Sequence, residues 1–475
     1  MSEDITADIC ILGAGSAGLS VAAGAVQMGA RTVLIEGHRM GGDCLNTGCV
    51  PSKSILSAAK VAQTVRRAGI YGIDVQNHKA DFAAVQRYVR SIIDAIAPHD
   101  SVERFTKLGC RVITARASFT GPKSVVAGNV SVRARRFVIA TGSRPFVPSI
   151  PGIEEVDFFT NETIFDNSVL PPYLVVIGAG PIGCEMAQAH RRLGSRVTLL
   201  DSDRMLPKDD PEAVDVVRRA FRAEGIELTE RVRIARIERA GEGIVIVLNA
   251  NGNERRIEGS HLLIATGRRA NVEGLGLDEA GVSYTPHGIK VDARLRTTNK
   301  HIYAAGDVIG GAQFTHVANF HAGVILRNAL FRLPAKNAPK ALPWVTYTDP
   351  ELAHVGLTEA EARRRLGDAV RILRADFAQN DRAQTDGHTF GFIKVAVSKR
   401  GYILGATIVG SQAGELIVPW VLALSSKLKI GDMASIIAPY PTLSEISKRT
   451  AGSYFTPTLF SNMTRRVVRF LGVFG

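Results

Sequence analysis

The chain has 475 residues, of which 45% are hydrophobic and 22% charged, so its composition is that of a globular protein and its length exceeds what one hydrophobic core supports. Its five cysteines are an odd number, its first residues are acidic, and no uncharged apolar run approaches the roughly 20 residues of a membrane span. These features argue against a secreted disulfide scaffold, a signal peptide and stable membrane insertion. We therefore expect a cytoplasmic protein. The formal net charge is +13, but the basic residues are dispersed and lack interleaved aromatic residues, so we expect no binding to nucleic acid.

The first predicted strand, residues 8–12, runs directly into a glycine-rich loop and a helix. A second strand, residues 31–35, ends on an acidic residue. In dinucleotide-binding folds the glycines let the backbone approach a pyrophosphate, and the acidic residue binds a ribose hydroxyl. The candidate dinucleotide-binding residues of this unit are Gly13, Gly15, Ser16, Gly18 and Glu36.

Two cysteines, Cys44 and Cys49, follow five positions apart in a run that is rich in glycine. Pro51 suits the first turn of a helix, which places Cys49 at the helix N-terminus, where the dipole favours a thiolate. Lys53 adds a cation one turn further. A zinc site needs about four ligands, and no second pair of Cys or His residues lies nearby at metal spacing. We therefore predict a redox-active dithiol that closes to a disulfide, no bound metal, and structural roles for the other cysteines: Cys10, Cys110 and Cys184.

The dinucleotide pattern occurs a second time further along the chain. A strand at 174–177 leads into a helix through Gly178, Gly180, Ile182 and Gly183, and a strand at 196–200 ends at Asp201. Two dinucleotides and a redox dithiol indicate an electron relay, in which the first unit holds a flavin beside the cysteines and the second unit a nicotinamide. Asp201 favours NAD over NADP, since a carboxylate repels a 2′-phosphate, but the nearby Arg204 weakens that preference and leaves NAD(P) open.

Four further motifs carry a family resemblance: Ala140–Ser143, Ala265–Arg268, Ala304–Val308 and Pro441–Glu445. With them, nearly the whole chain resembles the FAD-dependent pyridine nucleotide-disulfide oxidoreductases, which include dihydrolipoamide dehydrogenase, glutathione reductase and mercuric reductase. The resemblance implies that Cys49 contacts the flavin, that Cys44 exchanges with substrate, and that Lys53 pairs with Glu185 beside flavin and nicotinamide. It also implies that the acid Asp307 binds the ribityl chain of the flavin. Further cofactor contacts implied by the resemblance are Gly42, Lys53, Ala117, Thr141, Gly142, Ser143, Phe314, Thr315, His316 and Gly267.

The resemblance and the order of elements predict an α/β protein with two Rossmann-like dinucleotide-binding domains and a C-terminal α+β dimerisation domain. The FAD domain comprises residues 1–150 and 275–340, the NAD(P) domain residues 151–274, and the dimerisation domain residues 341–475. In the last domain we expect strands at 392–397 and 403–409 and a helix at 414–428. The family forms homodimers in which each subunit completes the other's active site. For the basic tail, residues 463–475, packing on the partner subunit is the expected role and contact with a membrane surface the alternative.

The chain departs from its relatives at one catalytic position. The disulfide reductases place a histidine before the Pro-Thr of the last motif, paired with a glutamate; here Glu445 remains but the histidine position holds Tyr440. Tyrosine titrates near pH ~10 and histidine near ~6.5, so Tyr440 is a poor general base at neutral pH. Turnover of dihydrolipoamide or glutathione disulfide is therefore expected to be slow.

Mercuric reductases do place a tyrosine at this position, but they also carry a cysteine pair near the C-terminus, and this chain has no cysteine after Cys184. The leading hypothesis is transfer of electrons from NAD(P)H through FAD and the Cys44–Cys49 disulfide to a small-molecule or protein-bound disulfide, as in dihydrolipoamide dehydrogenase. A mercuric reductase-like metal-ion or quinone reductase is the alternative. A redox-sensing or structural flavoprotein is a third hypothesis.

Overall fold

A computed structural model describes residues 3–76, 79–250 and 253–474 of the chain. The polypeptide divides into two compact units: the first comprises residues 1–202 and 232–339, and the second residues 203–231 and 340–475. The outermost residues of the predicted domains, 1 and 475, lie outside the described part. The division into three domains stays a prediction, since the first unit holds most residues assigned to both nucleotide-binding domains.

Strands and helices alternate around the two glycine loops, and runs of strands with no described α-helix between them occupy residues 111–177 and 227–304. In the described residues the strands are β1 Glu3–Leu12, β2 Thr32–Glu36, β3 Arg111–Thr114, β4 Ala117–Gly121, β5 Ser124–Ala127, β6 Val130–Ile139, β7 Ser143–Pro145, β8 Tyr173–Ile177, β9 Arg196–Leu200, β10 Glu227–Thr229, β11 Arg233–Ala240, β12 Gly243–Ala250, β13 Asn253–Gly259, β14 His261–Ile264, β15 Arg268–Ala270, β16 Tyr284–Thr285, β17 Gly288–Ile289, β18 Ile302–Ala304, β19 Pro343–Thr346, β20 Glu351–Gly356, β21 Val370–Asp376, β22 Phe392–Ser398 and β23 Ile403–Gly410. The α-helices are α1 Ser16–Gln27, α2 Gly42–Asn46, α3 Cys49–Arg66, α4 Phe82–Ile96, α5 Val102–Lys107, α6 Pro181–Leu193, α7 Pro211–Ala223, α8 Thr315–Ala329, α9 Glu359–Leu366, α10 Asp381–Thr385, α11 Ala413–Leu416, α12 Val418–Ser425, α13 Ile430–Ser435, α14 Glu445–Ser453, α15 Thr456–Leu459 and α16 Asn462–Leu471.

The first unit is built on a sheet whose parallel strands run in the order β3–β2–β1–β6. Strand β18 pairs in parallel with the end of β6, and β5 and β4 continue the sheet antiparallel from its beginning. Val33, Leu34 and Ile35 of β2 are all buried, as expected for a parallel strand covered on both faces. Leu12 lies opposite both Ile35 and Ile139, so the loops that follow β1, β2 and β6 lie at one edge of the sheet.

The same unit contains a second parallel arrangement, β9–β8–β14, in which Ile177 lies opposite Leu200 and Ile264. Helix α6 connects β8 to β9, just as α1 connects β1 to β2. An antiparallel sheet of β11, β12 and β13 follows in the chain. All four strands predicted from the two glycine motifs are present as β1, β2, β8 and β9. The two Rossmann-like folds of the prediction are confirmed.

The second unit is a separate α+β structure. Its antiparallel sheet has the strand order β19–β20–β23–β22–β21, and its core contains the buried rings of Phe377, Phe392 and Trp420. The two predicted strands are observed as β22 and β23. The single helix predicted at 414–428 is instead two helices, α11 and α12, because Pro419 occupies the first turn of α12 and has no N–H to continue the hydrogen bonds of α11.

Candidate active site

The loop after β1 is shaped by two glycines that no other residue replaces without overlap. Gly13 has a φ of +105°, and a β-carbon there would overlap the carbonyl oxygen of Ala140; a β-carbon on Gly18 would overlap the carbonyl oxygen of Gly13. Gly15 precedes α1, and no side chain caps this helix. The N–H groups of the first turn therefore point toward the loop, an arrangement that suits a phosphate group.

Glu36, the last residue of β2, lies directly beside this loop. One carboxylate oxygen accepts a hydrogen bond from the backbone N–H of Ala14 at 2.6 Å, and the other from the N–H of His38 at 2.8 Å. The carboxylate is thereby fixed at the strand end, where the sequence pattern predicts a ribose contact.

The loop after β8 repeats this geometry closely. Gly178 has a φ of +109° and packs on the carbonyl of Ala265, and a β-carbon on Gly183 would overlap the carbonyl oxygen of Gly178. Asp201, at the end of β9, accepts a hydrogen bond from the N–H of Ala179 at 2.5 Å. The remaining predicted residues of this loop also lie around it: Gly180 precedes α6, Ile182 is exposed on its first turn, and Gly267 has a φ of +137°.

The dithiol segment packs against the first glycine loop. Gly42 has a φ of +58°, and a β-carbon on it would lie 2.7 Å from the Cα of Gly15. Cys44 lies on α2, and Cys49 begins α3 after Gly48, which offers no side-chain cap. No disulfide joins the two cysteines, and each thiol shifts the pKa of the other. The structure therefore brings the two predicted redox sulfurs close to each other.

The surroundings make one of the two thiols acidic. The hydrogen bond with Cys44 is the main reason that the pKa of Cys49 is lowered to about 6; partial removal from water opposes the shift, while Thr315 and the charge of Lys53 favour it. The Thr315 hydroxyl lies 3.5 Å from the Cys49 sulfur. The same hydrogen bond and burial raise the pKa of Cys44. At neutral pH the pair therefore consists of a Cys49 thiolate and a Cys44 thiol.

An ion pair connects the dithiol helix with the helix of the second glycine loop. The Nζ of Lys53 on α3 lies 2.8 Å from a carboxylate oxygen of Glu185 on α6. Glu185 is buried, whereas Lys53 is partly exposed. The pairing of these two residues that the resemblance implied is present, and it connects the residues beside Cys49 with the second nucleotide loop.

A polar network surrounds Asp307 and extends to the dithiol segment. Ser143 donates a hydrogen bond to Asp307 at 2.6 Å, and Arg268 donates one to Ser143 at 2.7 Å. Arg268 also lies 3.2 Å from the carboxylate of Asp43, the residue before Cys44, and Asp43 accepts a hydrogen bond from Asn161 at 3.0 Å. Burial raises the pKa of Asp307, while Ser143 and Arg268 oppose that shift.

Asp43, Arg268 and Asn161 were not among the functional residues predicted from the sequence. Arg268 is the last residue of the Ala-Thr-Gly-Arg motif, and Asp43 lies in the glycine-rich run that contains the two cysteines. Both residues therefore belong to segments that the sequence marked as parts of a site. Only the folded chain brings Asp43 within reach of Arg268.

The other predicted cofactor residues lie on three different elements. Thr141 donates a hydrogen bond to the carbonyl of Asn271 at 2.8 Å, and Gly142 follows it with a φ of +68°. Phe314 precedes α8, and its ring stacks on that of His316 with centroids 5.2 Å apart. Ala117 begins β4 and packs against the hydrophobic core. The cofactor roles of these residues remain predictions.

Tyr440 and Glu445 belong to the second unit. The ring of Tyr440 is exposed, and its hydroxyl donates a hydrogen bond to Asp381 at 2.8 Å, which raises the pKa of the phenol. Glu445 is the first residue of α14. A phenol that is bound to a carboxylate in this way is even less suited to accept a proton, which agrees with the chemistry predicted for this substitution.

The described residues contain neither a group suited to a metal ion nor a helix suited to span a membrane. Among residues 3–76, 79–250 and 253–474, no group of three or more His, Cys, Asp and Glu side chains is arranged to hold a metal ion. In the same ranges no helix combines the length and the apolar character needed to cross a bilayer.

Two family models match the sequence. The model described as pyridine nucleotide-disulphide oxidoreductase matches residues 7–322, and the dimerisation domain of the same family matches residues 342–451. Together they cover most of both units.

Proteins of two different names are among those with similar sequences. Mercuric reductase of Bacillus cereus is 35% identical over 441 residues, which are 92% of this chain and 70% of that protein. Dihydrolipoyl dehydrogenase of Bacillus subtilis (strain 168) is 31% identical over 453 residues, 92% of this chain and 96% of that protein. Among solved structures, the Cu(II) complex of the HOCl-induced flavoprotein disulfide reductase RclA from Escherichia coli has a TM-score of 0.86 at 25% identity, covering 94% of this chain and 99% of that one. The chain therefore belongs to the pyridine nucleotide-disulphide oxidoreductase family.

Proposed function

We propose that this protein is a flavoprotein that passes electrons from NAD(P)H through FAD and the Cys44–Cys49 pair to a disulfide substrate. Members of its family carry FAD and use NAD(P)H. The observation that carries the proposal is the placement of the sulfur pair: Cys49 begins α3, its sulfur lies 3.5 Å from the Thr315 hydroxyl, and its pKa is lowered while that of Cys44 is raised. A structural cysteine pair has no need of a depressed pKa, whereas a dithiol that exchanges with other sulfurs requires a thiolate.

The two glycine loops fit the two dinucleotides. In each loop, an added β-carbon on a glycine would overlap a neighbouring carbonyl group. An uncapped helix N-terminus faces each loop, and a carboxylate is held by a backbone N–H at the end of the next strand. We assign FAD to the loop of Gly13, because Gly42 packs the dithiol segment against it, and NAD(P) to the loop of Gly178. When bound, FAD supplies two-electron chemistry between nicotinamide and sulfur.

The side chains of the protein carry out the remaining steps, which are thiolate stabilisation and sulfur exchange. Lys53 stabilises the Cys49 thiolate, and its ion pair with Glu185 fixes the position of the lysine. Transfer of the Cys44 proton to Cys49 makes Cys44 the nucleophile, which attacks one substrate sulfur and releases the other as a thiolate. Cys49 then attacks Cys44, so that the internal disulfide closes and the second substrate thiolate leaves. The first departing thiolate takes the proton that Cys49 received, so Cys49 is a thiolate again when it attacks the mixed disulfide, and the second departing thiolate takes a proton from water. Two electrons pass to the substrate.

A metal ion is a second candidate acceptor, and the environment of Tyr440 supports it. The phenol donates to Asp381 and has a raised pKa, so it does not accept a proton from a thiol as a histidine would. Reduction of a thiophilic metal ion needs thiolates but no proton shuttle. Relatives named mercuric reductase are among the matches, and RclA forms a Cu(II) complex.

Anaerobic titration with NADH followed by oxidation with different acceptors tests both proposals. We expect the FAD-bound protein to take up four electron equivalents, two for the flavin and two for the sulfur pair. Fast reoxidation by lipoamide supports the disulfide acceptor, and fast reoxidation only by Hg(II), Cu(II) or a quinone supports the alternative. Uptake of only two equivalents contradicts a redox role for the cysteines.

The variant Cys44→Ser tests the role of the sulfur pair directly. We expect it to retain FAD, judged by the yellow flavin absorbance, but to lose acceptor reduction, because no internal disulfide closes. The matched control is Cys110→Ser, because Cys110 is buried in the core beside Ala22 and is not one of the two sulfurs of the pair. An unchanged rate of acceptor reduction in Cys44→Ser would contradict the dithiol mechanism.

A further inference from the structure

The last helix of the chain exposes its apolar side chains to solvent. No residue of α16, Asn462–Leu471, is buried. Its large apolar side chains are between 47% and 76% exposed: Met463, Val467, Val468, Phe470 and Leu471. Phe474, just beyond the helix, is 74% exposed. Contiguous apolar surface of this kind marks an interaction site in a folded protein.

Apolar and cationic side chains lie on opposite sides of this helix. At about 100° per residue, the five apolar side chains fall within an arc of about 160°. The arginines Arg465, Arg466 and Arg469 fall within an opposite arc of about 100°. The helix therefore has one continuous apolar face and one continuous cationic face.

The helix is ordered by contacts of its own. The hydroxyl of Ser461 accepts a hydrogen bond from the N–H of Thr464 at 3.2 Å and caps the helix. The Thr464 hydroxyl in turn donates a hydrogen bond to the carbonyl of Thr458 at 2.7 Å, which connects α16 to α15. The rings of Phe470 and Phe474 meet edge to face, with centroids 5.2 Å apart. The amphipathic surface is thus already formed in the isolated chain.

Charge decides between the two partners that fit an amphipathic helix. After Glu445 the sequence contains no acidic residue but five basic ones: Lys448, Arg449, Arg465, Arg466 and Arg469. The same segment of a second copy carries the same five basic residues and no acidic one, so pairing of the two segments brings like charges together. A bilayer that contains anionic lipid offers the opposite charge to the arginine face and an apolar interior to the other face.

We propose that α16 binds the surface of an anionic membrane, lying in the plane of the interface with its apolar face among the acyl chains. Ten residues of helix are about 15 Å long, half the hydrocarbon thickness of about 30 Å, so the helix lies on the bilayer and does not span it. The matched dimerisation domain ends at residue 451, before this helix, so membrane binding leaves that domain available for the dimer contact.

Sedimentation with lipid vesicles tests this proposal on the full-length, FAD-bound protein. Vesicles of phosphatidylcholine alone are compared with vesicles that also contain phosphatidylglycerol, at low and high salt. We expect binding to the anionic vesicles only, and weaker binding as salt screens the arginines. Since each basic residue near an anionic surface contributes about fivefold in affinity, the double variant Arg465→Gln/Arg466→Gln should bind about thirtyfold more weakly.

Two further variants separate charge from apolar burial. The control Arg364→Gln/Arg365→Gln removes an adjacent, exposed arginine pair from α9 and should bind like the wild type. Phe470→Ser/Leu471→Ser keeps every charge and should lose binding, because the apolar face no longer enters the bilayer. All variants should keep their flavin absorbance and their activity with water-soluble acceptors.

Three outcomes overturn the proposal. They are equal binding to neutral and anionic vesicles, equal loss in the α9 control, and no vesicle binding at all. If analytical ultracentrifugation then shows that Phe470→Ser/Leu471→Ser reduces the mass of the assembly, the apolar face is instead a contact between copies of the chain. None of these results depends on the acceptor, so they do not bear on the proposed electron transfer.

Discussion

The chemistry of Cys49 depends on a small number of neighbouring atoms. The Cys44 thiol, the Thr315 hydroxyl and the Lys53 ammonium all stabilise its thiolate, against the effect of partial burial and of Asp43. Each contribution comes from a different place in the sequence, and Thr315 lies 266 positions away from Cys49. The reactivity of the sulfur is therefore a property of the folded first unit and not of the Cys-containing segment alone.

The pKa of Cys49 predicts how the reduced protein reacts with iodoacetamide. Because the pKa is lowered to about 6, the thiolate is present above that pH and lost as the pH falls through it. Alkylation of Cys49 should therefore be nearly constant above about pH 7 and fall steeply below about pH 6. An unperturbed thiol, with a half-point near pH ~8.5, would contradict this prediction. Mass spectrometry of the labelled peptide identifies which sulfur has reacted.

The substitution Thr315→Val tests the contribution of the hydroxyl without changing the volume of the side chain. Loss of this hydrogen bond, at about 1 kcal/mol, should raise the pKa of Cys49 and lower its alkylation rate below pH 6 about fivefold. Thr64→Val is the control, because Thr64 lies on the same helix as Cys49 but is exposed and bonds only locally to Lys60. An unchanged pH profile in Thr315→Val would show that this contact does not act on the thiolate.

At the scale of elements, each glycine loop joins a strand to a helix, and the close approach of the backbone in this turn requires residues without a β-carbon. The sequence pattern alone was sufficient to predict both loops, their strands and the carboxylates of Glu36 and Asp201, because their spacing is local. It was not sufficient for Asp43 and Arg268, whose ion pair joins residues distant in the chain. The break between α11 and α12 was also missed, although Pro419 was a visible signal for it.

Alanine substitutions in the two loops should separate the two cofactors. Gly18→Ala forces a β-carbon into the carbonyl of Gly13, and we expect the purified protein to lose FAD. Gly183→Ala makes the equivalent overlap with Gly178, and we expect retained FAD but a KM for NADH raised about fivefold to 150-fold, as an overlap costing about 1–3 kcal/mol predicts.

Gly452→Ala is the control for both alanine variants, because no atom lies within 4 Å of its added β-carbon. It should leave the flavin content and the KM unchanged. Loss of FAD from Gly183→Ala rather than from Gly18→Ala would reverse the assignment of the loops.

At the scale of the whole molecule, the first unit carries the parts of the electron relay that we propose, whereas the second carries the family's dimerisation domain and the exposed Tyr440. The family fold was predictable because its motifs extend along nearly the entire chain. The acceptor was not predictable, because the residue that we propose to influence it, Tyr440, has a partner, Asp381, that lies 59 positions earlier in the sequence. A change at this one position therefore tests which acceptor the assembled protein prefers.

The variant Tyr440→His should increase turnover with lipoamide, because an imidazole titrates near pH ~6.5 and accepts the proton that the phenol does not. We expect an increase of about tenfold or more, greatest above pH ~6.5 where the imidazole is neutral, since general-base catalysis typically contributes at least about a hundredfold when geometry is ideal. Tyr440→Phe removes the bond to Asp381 without adding a base and should leave the rate unchanged. If both variants raise the rate equally, release of Asp381 is the cause; if neither does, proton transfer at this position does not limit disulfide reduction.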